Sequence, residues 1–133
     1  MENSDVMWAQ KVIDRWAIKK AVPAPRVTTI STMEEKMLSG YQNNTIILYE
    51  RAWDKQDLLG KILLLANPFG YHIQYALGQK PDDDKAWELA TELVLLEIEL
   101  LATATGVEMT QLMKIKKINN MDDFAGGVAR KKR

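Results

Sequence analysis

Apolar residues recur at three- and four-residue intervals over much of the chain, the spacing that lays side chains along one face of an α-helix. Val6, Ala9, Ile13, Trp16 and Ala17 form one such stripe, predicting a helix over 4–21 that Ser4-Asp5 caps and Pro23 and Pro25 end. Leu58, Leu59, Ile62, Leu63 and Leu65 form a second, on a helix over 55–66 capped by Asp54 with Asp57 and closed by Asn67-Pro68. The longest stripe is Trp87, Ala90, Leu93, Val94, Leu96, Leu100, Leu101 and Ala104. It covers most of the circumference of a helix over 82–105, as expected of a central helix packed on several sides or at a subunit contact. Asp82, Asp83 and Asp84 suit the partial positive charge of its first turn, and Gly106 stops it. A last helix is predicted from Val107 to about Ile118, with Val107, Leu112, Ile115 and Ile118 inward and Lys114, Lys116 and Lys117 toward its C-terminus.

Three stretches depart from this rhythm. Arg26-Val27-Thr28-Thr29-Ile30 is β-branched and reads as a short extended piece. Ser31 or Thr32 with Glu34 or Glu35 resembles a capping box, predicting a short helix that stops at Gly40. Asn43-Asn44 is turn material before a β-prone run over 45–49, read as helix because helical character continues through Trp53. In 69–78, Tyr71, Ile73, Tyr75 and Leu77 alternate as in a strand; with helical neighbours and no partner strand in view, a short helix is preferred. There is no internal repeat and no sustained heptad pattern. The expectation is an all-α fold: a compact bundle of five to six helices in one domain over 1–120, with a flexible Gly/basic tail over 121–133.

Composition acts mainly by exclusion. At 133 residues and 47% hydrophobic, the chain suits one globular core and leaves no length for a second full domain. No cysteine means no disulfide, cysteine-bound zinc, iron–sulfur cluster or thiol nucleophile, and the single His72 rules out a multi-histidine metal site. The net charge is zero but unevenly spread. Residues 82–106 carry Asp82, Asp83, Asp84, Glu88, Glu92, Glu97 and Glu99 against Lys85, a formal −6; residues 107–133 carry seven bases against Glu108, Asp122 and Asp123, a formal +4. The first residues are polar and acidic where a secretory signal is basic and then apolar, so a cytoplasmic location is expected. The most apolar stretch, 93–104, contains Glu97 and Glu99 and falls short of the ~20 apolar residues of a membrane span.

The candidate chemistry is sparse. Glu88 and Glu92 lie four apart on one helix face and Glu99 returns near it, a line that can hold Mg²⁺ through oxygen ligands; a solvated acidic stripe is the simpler reading. Glu88-Leu89-Ala90-Thr91-Glu92, the apolar helix to Ala104-Thr105-Gly106-Val107, and then Lys114, Lys117 and Asn119-Asn120 resemble the C-terminal half of the all-α nucleoside triphosphate pyrophosphohydrolases of the MazG type. The resemblance covers about a quarter of the chain and implies Mg²⁺ on Glu88 and Glu92 activating water for pyrophosphate release. The family's Glu-x-x-Asp spacing is absent, and its earlier Glu-x-x-Glu pair has no counterpart here.

His72 sits among Phe69, Tyr71 and Tyr75, either as packing or, with Lys80, as a platform for stacking bases. A helix-turn-helix over 58–77 would put its turn at Asn67-Pro68, but the second helix lacks Arg and Lys. Arg130, Lys131, Lys132 and Arg133 suit weak contact with phosphates, or simply solubility. Trp8 lies about 80° around its helix from Trp16, so Met7 and Trp8 form a candidate partner contact. No phosphate loop, histidine pair or nucleophile motif is present. The leading expectation is a non-enzymatic, cofactor-free interaction protein, a regulator, inhibitor or assembly subunit. It would bind a protein or nucleoprotein partner, need no membrane, and self-associate through 93–104. Mg²⁺-dependent pyrophosphohydrolysis and nucleic-acid binding through the tail are the alternatives.

Overall fold

The computed structural model of the chain describes residues 2–31 and 38–105. Its elements run α1 (Asn3–Lys20), β1 (Arg26–Ile30), β2 (Ser39–Gln42), β3 (Thr45–Tyr49), α2 (Glu50–Asp54), α3 (Leu58–Ala76) and α4 (Asp83–Thr105). The expected all-α bundle of five to six helices is therefore wrong: the described residues form four helices and a three-stranded mixed sheet.

The correction starts at Asn43-Asn44. Both residues are left-handed (φ 51° and 60°), and Gln42 pairs with Thr45, so they form a two-residue hairpin turn. Two consecutive positive φ angles suit the right-handed twist of flanking strands, and asparagine tolerates them better than most residues. The hairpin makes Thr45–Tyr49 a strand, with β2 antiparallel on one side and the expected extended piece, β1, parallel on the other. Ile46 and Leu48 point into the core, fully buried. Helix resumes at Glu50, directly after extended Tyr49, so the ambiguous run is first strand and then helix. Gly40, expected to stop a helix, lies within β2; the helix expected before it falls on 32–37, outside the described residues.

The second correction concerns Pro68. The helices expected over 55–66 and 69–78 are one helix, α3, which begins where the Asp57 carboxylate accepts from the Gly60 N–H at 2.9 Å. A proline inside a helix removes a hydrogen bond and costs about 3 kcal/mol. Here every residue from Ile62 to Gly70 is buried, and that burial on all sides outweighs the loss. α3 ends at Ala76, and Gly78, just past its Leu77 cap, takes a left-handed φ of 70°.

α4 returns antiparallel along α3. The Gln74 side-chain amide closes the connection by donating to the Asp82 carbonyl at 3.0 Å and accepting from the Asp82 N–H at 3.1 Å. Farther on the two backbones nearly touch: a Cβ on Gly70 would lie 2.0 Å from the Ala86 carbonyl oxygen. α4 buries Ala86, Ala90, Leu93, Val94 and Ile98 and leaves Leu96 and Leu100 exposed, so it packs on one side, and the central helix is α3. α1 covers the sheet's β1 edge, where the Gln10 amide donates to the Pro25 carbonyl and accepts from the Val27 N–H, satisfying edge groups as a further strand would. Trp16 meets Phe69 edge-on at 5.6 Å, joining α1 and α3 in one core cluster. The helix expected over 107–118 and the tail over 121–133 lie outside the described residues.

Candidate functional site

Two ion pairs set α1 and α4 antiparallel. Arg15 Nη2 donates to Glu97 Oε2 at 2.8 Å, and five residues along each helix Lys20 Nζ pairs with Glu92 Oε1. The Glu97 side chain is only 4% exposed, whereas that of Arg15 is 48% exposed, so a nearly buried carboxylate is neutralised by a cation reaching in from solvent.

Beside this pair a groove of about 430 Å³ opens between the helices. Trp16, Leu93, Leu96 and Leu100 line it with apolar surface, and Arg15, Lys19, Glu97 and Glu99 supply both signs of charge. Leu96 is 37% and Leu100 54% exposed. On α4 the lining residues Leu93, Leu96, Leu100 and Thr103 follow intervals of three, four and three, the a/d spacing with which one helix receives another. The α4 half of this site is legible in sequence as a stripe wider than one packing face needs. The α1 half is not, because Arg15 and Glu97 are 82 positions apart and no local pattern pairs them.

A second concavity of similar size brings Glu88 and Glu92 together with Lys20, Lys85, Gln79 and Leu89. The hydrogen bond and charge of Lys20 hold the exposed Glu92 carboxyl below its ordinary pKa. The Mg²⁺ ligands implied by the pyrophosphohydrolase resemblance are thus neighbours, but they face two lysines; among the described residues no three His, Asp or Glu side chains gather as a metal site.

His72 is buried, and both its ring nitrogens are committed. Nε2 lies 2.6 Å from the Pro23 carbonyl, which only accepts, so Nε2 carries the proton and Nδ1 accepts from the Tyr41 hydroxyl at 2.8 Å. Burial lowers the His72 pKa, partly opposed by the Pro23 carbonyl; burial and the nearby Tyr75 raise that of Tyr41. The imidazole thus ties α3 to β2 and to the chain after α1, and it offers no free lone pair to a substrate.

The aromatic run around it divides between core and surface. Phe69 is buried against Trp16 and His72, whereas Tyr75 is 68% exposed, so the run forms no common stacking face. The unbroken α3 also removes the helix-turn-helix. Of the expected partner contacts, Met7 is 61% exposed, while Trp8 is half-buried with its ring 6.0 Å from that of Trp53. Neither lines the groove. Arg130, Lys131, Lys132 and Arg133 lie outside the described residues. No helix among the described residues is long and apolar enough to cross a membrane. Compared with known proteins, the chain matches no family model, no curated protein and no solved structure.

Proposed function

We propose that this chain is a non-catalytic binding protein whose α1–α4 groove takes an amphipathic helix from a protein partner, as a regulator, inhibitor or assembly subunit does. One observation carries the reading: a partly exposed a/d seam, Leu93-Leu96-Leu100-Thr103, beside a charged wall from α1. An apolar helix face matches that seam in spacing, and its flanking charges find partners in Lys19 and Glu99. Covering the exposed parts of two leucines supplies about 1–3 kcal/mol, so affinity also depends on those flanking contacts. The reading takes the chain to be cytoplasmic, which its cysteine-free composition permits. The test is Leu100→Glu in the full chain. Its affinity for a partner isolated on the wild-type protein should fall at least about tenfold, the equivalent of 1.4 kcal/mol. Thermal unfolding should hardly move, because Leu100 is largely exposed. Equal affinity in the two proteins rejects the groove.

A further inference from the structure

Resting on that reading, we infer that the helix received by the α1–α4 groove is α4 of a second copy of this chain, laid parallel to the first about a two-fold axis. Two observations carry this, both on described residues. The first is the seam itself. The groove calls for a helix with apolar residues at three- and four-residue spacing, and α4 presents such a stripe, with Leu96 and Leu100 exposed. In a parallel pair each layer meets its own copy, so Leu96 packs on its counterpart and Leu100 on its own.

The second observation is charge, and it sets the direction. Glu97 and Glu99 are about 200° apart around α4, so they flank the seam on opposite sides. The Glu97 flank carries the α1 wall, with Arg15 and Lys19; the Glu99 flank carries an exposed carboxylate with no ion pair among the described residues. Arg15 holds Glu97 through Nη2 and is 48% exposed, so its guanidinium can serve a second carboxylate. In a parallel pair unlike flanks abut: Arg15 and Lys19 of each copy lie against Glu99 of the other, twice by symmetry. An antiparallel pair centred on the seam brings the two Glu99 side chains together instead, a like-charge contact that costs affinity.

The contact is small, so a dissociation constant of about 10–100 µM is expected, and the test spans about 5–500 µM. Over that range, light scattering of the full chain should pass from the mass of one chain to that of two. Leu100→Glu and, independently, Glu99→Lys should each weaken the pairing at least about tenfold. The second changes only an exposed side chain, so its thermal unfolding should match wild type. Because the native chain has no cysteine, Thr103→Cys adds a lone thiol at the end of the seam. Mild oxidation should join two such chains through residue 103, whereas Lys55→Cys, exposed and outside the groove, should cross-link far more slowly. A single-chain mass throughout, a dimer insensitive to Leu100→Glu or to Glu99→Lys, or no cross-link at 103 overturns the inference. Should the chain stay single while Leu100→Glu still weakens binding of an isolated partner, the groove reading stands and only the second copy is lost.

Discussion

At the scale of single residues, polar side chains are used where backbone would otherwise be left unpaired. Gln10 satisfies the edge of β1, Gln74 closes the turn between α3 and α4, and His72 links Tyr41 to the Pro23 carbonyl. The histidine gives this arrangement a pH dependence. Its folded-state pKa is lowered below the usual ~6.5, so around and below that pH the unfolded chain binds the extra proton more readily. Stability contributed by neutral His72 is fully present above about pH 6.5 and is lost as the pH falls toward the folded-state value. Urea unfolding of the full chain at a series of pH values should show this decline. His72→Gln, which keeps a donor and an acceptor but does not titrate, should flatten it; an unchanged slope in the variant would place the dependence elsewhere.

At the scale of elements, the most demanding contact is between α3 and α4. Gly70 lies so close to Ala86 that even one methyl group meets a carbonyl oxygen in rigid backbone. Gly70→Ala should therefore destabilise the chain by about 1–3 kcal/mol or more, although alanine is the better helix former, and a denaturation midpoint equal to wild type would refute this packing. α1 and α4 are legible in sequence within a few residues because their apolar periodicity is sustained. The sheet is not, for a reason Tyr49 illustrates: strand passes to helix there without a loop, so a window over 45–53 mixes two periods. What distinguishes them is the Asn43-Asn44 turn, whose hairpin signal depends on pairing with the unremarkable Ser39–Gln42. Pro68 misleads in the opposite direction, because a local breaker is overruled by burial that only the tertiary fold supplies. The candidate site divides the same way, its leucine seam readable on α4 and its wall on α1 dependent on long-range packing.

At the scale of the whole molecule, α3 and the sheet provide a core against which α1 and α4 are braced, and among the described residues the face shared by those two helices is left partly uncovered. Three ionisable groups near the helices are engaged within the fold. His72 is structurally engaged, Glu92 is paired with Lys20, and Glu97 is neutralised by Arg15 beside the groove. The groove as a helix-binding surface is the central claim, and site-specific photocrosslinking in the native host tests it most directly. A photoreactive residue in place of Leu100, inside the groove, is compared with one in place of exposed Lys55, outside it. The account predicts a discrete adduct from position 100 alone, joined to a segment whose apolar residues repeat at three- and four-residue spacing. The same adducts from both positions, or none from position 100, would contradict it.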